Sequence, residues 1–365
     1  MKALKHVLEA SILGDIDDNI DNMDNDIKSI IEDFIIKNYN VVSNSVNYKI
    51  SDKPNKDGKY EVSVRGRHMV KFTGYGDKLT NGSFVWTKVN GSFDCSYSYI
   101  TSLEGSPKYV GLDFNCNNCK ELKSLEGSPE TVKGSFICRE CTELETLKGC
   151  AKSIGYNFDC CFCRIKNFKG LSSDIKGEIH ARYCDQLVSL EGLPNEVKGL
   201  LSLSHCVRLE SLKHCSQKIG DSFYLAGCSS LKSLEGGPKE VGNDYNCSDC
   251  VSLKNLKGSP VYIPGEFDCG HCRSLESLEG GPKEVGNDYN VCVCQNLKTL
   301  KGCAEKVGND FICCSCKNLM SLEYAPKKVG HYFEAWGNGK DFTEDDVFAV
   351  TNTIKSNLKL KPIYC

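Results

Sequence analysis

From residue 89 to residue 338 the hydrophobic positions recur every 22 residues. The second leucine of an L-x-x-L-E-G unit marks the phase at Leu103, Leu125, Leu147, Phe168, Leu190, Leu212, Leu234, Leu256, Leu278, Leu300 and Leu322, with a single step of 21 after Leu147. A period of this length predicts a solenoid, because each unit can bury its apolar face only against its neighbours. A second column holds Val or Ile at twelve positions from Val89 to Val329, each followed within two residues by glycine. It predicts a buried anchor and a bend in which glycine supplies either a positive φ or close approach of backbone. Four residues after each anchor comes a large apolar residue, as at Phe93, Phe114, Tyr245 and Phe267, and two residues further a cysteine or a small hydrophobe. That alternation is the period of a strand.

The pattern changes at both ends. Leu13, Ile16, Ile20, Met23, Ile27, Ile30 and Phe34 step by three and four, predicting an amphipathic helix over about 12–37 that packs on the solenoid or forms a self-association seam. Alternating apolar positions between Val46 and Phe72, with the turn pair Asp57-Gly58, predict a small β cap. After the repeats, Thr343 is a candidate N-cap, and Val347, Val350, Ile354 and Leu358 have helical spacing. Trp86 and Trp336 lie at the two edges of the repeat block, where cap and rung would pack. The expected organisation is an acidic helix (1–40), a β cap (41–88), a solenoid of about eleven rungs (89–338) and a C-terminal helical cap (339–365).

Composition sharpens this picture through cysteine. All 24 cysteines lie from Cys95 onward. A disulfide scaffold or a metal protein would be the first expectation from the count alone. Column position argues otherwise. Ten cysteines, Cys119, Cys141, Cys163, Cys184, Cys206, Cys228, Cys250, Cys272, Cys294 and Cys316, form one unbroken ladder, and Asn338 is its eleventh member. A second column mixes Cys95, Cys116, Cys138, Cys160, Cys247, Cys269 and Cys313 with Ala181, Leu203, Leu225, Val291 and Ala335, so cysteine there behaves as a small hydrophobe. Cys150, Cys215 and Cys303 occupy the loop in which other repeats carry x-Pro.

The stretch GCSSLKSLEGGPKEVGNDYNCSDCVSL resembles the BspA-like leucine-rich repeats, over about two thirds of the chain. In such units Asn or Cys turns inward to hydrogen-bond the backbone where the strand exits. The resemblance implies a β-rich solenoid of leucine-rich-repeat type with a parallel sheet on its concave face, and a role in protein contact. The L-E-G-x-P-K-x-V-G phrasing after an acidic leader is also similar to repeat proteins of large tailed phages, and Val7-Leu8-Glu9-Ala10 resembles the sites at which their leaders are trimmed.

Charge and motifs narrow the function. A net charge of −3 argues against a nucleic-acid footprint, and no apolar run is long enough to span a membrane. The first residues lack a secretory pattern, so a cytoplasmic location is expected. Cys116-x2-Cys119-x18-Cys138-x2-Cys141 has zinc spacing, but a C-x-x-C unit repeated every 22 residues produces it automatically. No nucleophile, P-loop or dinucleotide motif appears, so no enzyme and no cofactor are expected. The polar residues flanking the aromatic column should face the concave side: Asp113, Asn115, Asn157, Asp159, Asp244, Asn246, Glu266, Asp268, Asp288, Asn290 and Asp310. They read either as an ordinary solvated strand face or as a shallow acidic groove for a basic protein partner. On the groove reading, reversing Asp244, Asp268 and Asp288 to Lys abolishes binding and leaves the fold intact. The expected function is thus a non-enzymatic interaction scaffold, phage-encoded, virion-associated or host-interacting. The alternatives are an inhibitor of a host defence protein such as a CRISPR effector or other nuclease, and a zinc or thiol-redox protein.

Overall fold

The computed structural model describes residues 16–40, 48–67, 69–74 and 76–361. The Val7–Ala10 segment and the first hydrophobic step at Leu13 lie outside them. The repeats form a parallel β-solenoid of leucine-rich-repeat type. One sheet of fifteen strands runs its whole length. Its repeat strands are two residues long and start on the aromatic column: Phe136 pairs with Phe114 on one side and Phe158 on the other. The register stays residue for residue to Phe333. Each rung makes only a few bonds to the next. Phe114, Cys116 and Asn118 donate their N–H groups to Ser135, Ile137 and Arg139 at 2.7–2.9 Å. The aromatic column, the residue two beyond it and the leucine columns are fully buried.

The Val/Ile column forms strands as well, which the sequence pattern did not predict. Ser153–Ile154 pairs with Thr131–Val132 and Asp174–Ile175, in a second ladder broken into sheets of seven, three and four strands. One break has a plain cause. The residue after each anchor usually donates to the anchor carbonyl of the preceding rung, as Gly242 N–H does to Ile219. After Ile263 that residue is Pro264, which has no N–H for Val241, and the ladder stops there.

Of the two uses foreseen for the glycine after the anchor, close approach is the one found. A Cβ on Gly308 would stand 1.9 Å from the carbonyl oxygen of Gly286. Positive φ belongs instead to the glycine of L-E-G, such as Gly192 at +102°.

The solenoid extends beyond the eleven periodic rungs. Tyr60–Val64 and Val70–Phe72 pair parallel with Phe84–Val89 and Phe93–Asp94, so the segment read as a β cap enters both ladders as a degenerate coil. The helix Ile16–Asn38 covers its edge. Ile31 and Ile35 are fully buried there and Ile27 and Phe34 are half-buried, whereas Ile30 is half-exposed. The packed stripe therefore drifts from the strict three-four seam, because a straight helix against a sheet edge follows 3.6 residues per turn. Trp86 is buried in this end, donating its indole N–H to the Tyr39 hydroxyl at 3.2 Å.

At the far end Thr343 caps a helix, as its sequence suggested, in a reciprocal capping box with Asp346. That helix spans only Glu344–Phe348. Ile354 is exposed and Leu358–Lys359 adds a parallel strand beside Phe333–Glu334, so the helical spacing of Val350, Ile354 and Leu358 is not realised. Backbone groups at the open sheet edge prevail over a short apolar periodicity.

Substituting Gly308→Ala drives a Cβ into backbone and is expected to cost about 1–3 kcal/mol by chemical denaturation. Gly76→Ala, with open space around the position, should leave stability unchanged.

Candidate functional site

The ladder cysteines act through their S–H groups. Each of the ten donates to the backbone carbonyl of the residue two beyond the aromatic position of the preceding rung, at 3.0–3.4 Å. The acceptor is a main-chain oxygen, so it serves equally when that residue is Cys95, Ala181 or Leu225. Ser98 precedes the ladder, its hydroxyl donating to the Cys95 carbonyl at 2.6 Å. Asn338 ends it differently, accepting the Cys316 N–H at 2.9 Å through Oδ1. Burial pushes the thiols of Cys228, Cys272 and Cys316 up to about 12, which keeps them protonated donors at neutral pH. Among the described residues no group of three or more His, Cys, Asp or Glu side chains is arranged to hold a metal ion.

The residue just before each ladder member has a left-handed backbone, as at Asn118 (φ 57°), Tyr183 (58°) and even Val293 (60°). Only Gly227 and Gly337 fill this column with glycine. Sequence reasoning missed it because the column has no common residue type. Its side chains project outward, and Phe162, Tyr183 and His205 stack with centroids 4.7 and 4.4 Å apart. Their 21- and 22-residue spacing was the available signal.

The eleven polar residues expected on the face of the long sheet all stand there, but most have backbone duties. After the aromatic position, Asn115, Asp159, Asn246, Asp268 and Asn290 each accept the N–H two residues on, at 2.8–3.0 Å. Before it, Asp113, Asn157, Asp244, Asp288 and Asp310 accept the N–H of the equivalent residue one rung later, at 2.7–2.9 Å. Glu266 alone has no such bond. Where the Asx residue is replaced by His180 or Ile312, sulfur takes over: Cys161 Sγ accepts from Arg182 N–H at 3.3 Å and Cys292 Sγ from Cys314 N–H at 3.2 Å. Reversing Asp244, Asp268 and Asp288 to Lys would therefore remove backbone acceptors as well as charge, and the expectation that the fold survives such reversal is withdrawn. Asn is the substitution that separates the two, since it retains the acceptor.

The second oxygens are held only loosely: Asp244 Oδ2 accepts from the Tyr224 hydroxyl and Asp268 Oδ2 from Asn246 Nδ2, each at 3.4 Å. Asp244, Glu266, Asp268 and Asp288 cluster over three rungs with no ion-pair partner among the described residues. Most of the lysines that do form ion pairs form them instead along the loops and the second face, as Lys232 does with Glu210 and Lys306 with Glu284. Burial, followed by repulsion from Asp268, Asp288 and Asp244, raises the Glu266 carboxyl above its ordinary range. Burial likewise raises Asp268, against the opposing bond from Gly270 N–H.

No family model and no curated protein matches the chain. Among solved structures it is similar to a leucine-rich repeat protein from Bacteroides ovatus at 15% identity, over 81% of this chain and 99% of that one, with a TM-score of 0.32. At that score the architecture rests on the chain's own register and ladder rather than on the likeness.

Two outcomes follow from this chemistry. Asp268→Asn keeps the acceptor and removes a desolvated charge, so it should not destabilise the chain at pH 7, while Asp268→Ala, which strands the Gly270 N–H, should cost about 1–3 kcal/mol in urea denaturation. Cys292 and Cys150 are both part-buried, but hydrogen bonding from Cys314 lowers the Cys292 thiol, whereas desolvation pushes Cys150 up to about 12. Peptide mapping after brief iodoacetamide treatment at pH 7 should find Cys292 alkylated before Cys150.

Proposed function

We propose that the chain is a non-enzymatic protein-interaction scaffold whose long-sheet face receives a basic partner. The observation that carries this is the cluster of Asp244, Glu266, Asp268 and Asp288, placed on neighbouring rungs of a partly desolvated strand face with no ion-pair partner among the described residues. Like charges gathered this way are unfavourable in the free protein and are relieved by lysine or arginine from a partner. The setting carried by the sequence resemblance is a phage one, either as a virion-associated component or as an antagonist that binds a host defence protein. Affinity capture from host lysate, set against mass spectrometry of purified virions, separates the two.

The acidic cluster is tested with the triple variant Asp244→Asn, Glu266→Gln, Asp268→Asn, which retains the acceptors at 244 and 268. A heptalysine peptide should bind the native chain and not the variant in fluorescence anisotropy; equal binding would remove the proposal. The sign of the pH dependence follows from the raised carboxyls. In the folded chain they hold protons to higher pH than when unfolded, so their penalty is absent below the ordinary carboxylate range and grows as pH rises through the raised values. The variant should therefore be more stable than the native chain at pH 7, with the difference closing near pH 4. Native affinity for heptalysine should fall as the pH drops through the same window.

A further inference from the structure

On the long-sheet face, between the rungs of Ile179 and Phe267, lies a depression of about 310 Å³. Its floor includes the small side chains Ser202, Ser204 and Ala226, with Tyr224 beside them donating its hydroxyl to Asp244 Oδ2 at 3.4 Å. Arg182 stands at one end, exposed and without a carboxylate partner among the described residues. At the other end are Asp244, Glu266 and Asp268. Ser202 is 2% exposed, and its hydroxyl has no hydrogen-bond partner. A buried unpaired hydroxyl is unfavourable unless something completes it. Here it lines the floor between the two charged ends.

The spacing selects the ligand. Three strand steps separate the Ile179 rung from the Tyr245 rung. At the usual spacing of adjacent strands this is about 14 Å, and an extended peptide covers it in about four residues. A single amino acid, with its two charges a few ångströms apart, cannot reach both ends. A nucleic-acid strand is disfavoured too. Its phosphates would meet three carboxylates, and the rings of Phe162, Tyr183 and His205 are closed against one another with interplanar angles of 5° and 7°, leaving no gap for a base.

We propose that this depression binds an extended peptide segment lying along the solenoid axis, with an acidic side chain on Arg182, a basic side chain about four residues away on the Asp244–Glu266–Asp268 cluster, and a peptide group between them on Ser202 Oγ. The inference rests on the acidic face being a protein-binding surface and adds the charge pattern of the partner. At Ser202, Ser204 and Ala226 the small side chains let a main chain approach the sheet closely, with Tyr224 as one wall. Arg182 donates its backbone N–H to Cys161 while its side chain is exposed, 5.9 Å from the Tyr183 ring centroid, so its charge can be reversed without touching a backbone contact between rungs.

The test uses the full chain and immobilised Gly-Ser peptides carrying one Glu and one Arg separated by two, four or eight residues, together with an Arg-only peptide. The four-residue spacing should bind tightest, by about 1.5-fold to fivefold over the eight-residue spacing and the Arg-only peptide. Arg182→Glu should erase that advantage, and replacing the peptide's Glu by Lys should restore it. If native and Arg182→Glu chains bind all Arg-containing peptides equally, the bipolar site is overturned and the basic-partner reading stands. If the chain binds neither these peptides nor heptalysine, both fall.

Discussion

Everything in this solenoid depends on one bond, from a buried thiol to a main-chain oxygen one rung back. A strand of two residues must turn out of the sheet almost at once, and the carbonyl at its exit has no N–H of the next strand to meet. Leaving such a group unpaired in the interior would cost on the order of 1–3 kcal/mol per rung, repeated over ten rungs. Cysteine suits the position because it is small and apolar and offers a single weak donor. Asparagine in the same place carries a donor pair that needs further partners. At Asn338, the one ladder position where it occurs, the side-chain amide nitrogen is buried without any. That position is also the last of the ladder, with no later rung to disturb.

Most of the architecture was legible because its columns serve the backbone and so repeat. The period of 22, the buried aromatic column and the ladder all came from residue types that recur for a physical reason. What escaped was of two kinds. The left-handed column before each ladder member is a backbone state that Asn118, Phe162, Val293 and Gly227 all adopt, so no residue type betrays it. The ends escaped because they have no repeat. The chain from Tyr60 to Phe72 and the strand Leu358–Lys359 join ladders whose register is set by open edges rather than by their own pattern. The polar residues flanking the long-sheet strands recur for a reason that the sequence pattern did not reveal. Asp and Asn recur there chiefly because strand flanks need acceptors, and a sequence shows which residues recur without showing which oxygen is occupied.

The division of labour within each carboxylate is what lets a structural face also be a surface of recognition. One oxygen of Asp268 closes a turn on Gly270 at 2.8 Å while the other, held only by a 3.4 Å bond from the Asn246 amide, lines the outer depression. Amide and carboxylate are interchangeable for the first task, as Asn246 and Asn290 show in adjacent rungs. Net charge on this face is therefore adjustable at almost no structural cost. Its concentration around Glu266, away from the lysine-rich loops, is a property of the surface that the backbone does not require.

Residue-for-residue stacking also makes the molecule a ruler with a fixed graduation. Because every rung repeats its neighbour's register, a rung inserted between Arg182 and Asp244 would move the two charged ends apart by one strand spacing, roughly 4.8 Å, and would leave every other contact type as it was. Distances between features on this face can change only in whole steps of that size. Selectivity for a partner of given length is thus digital in this fold, set by counting units rather than by reshaping any one of them.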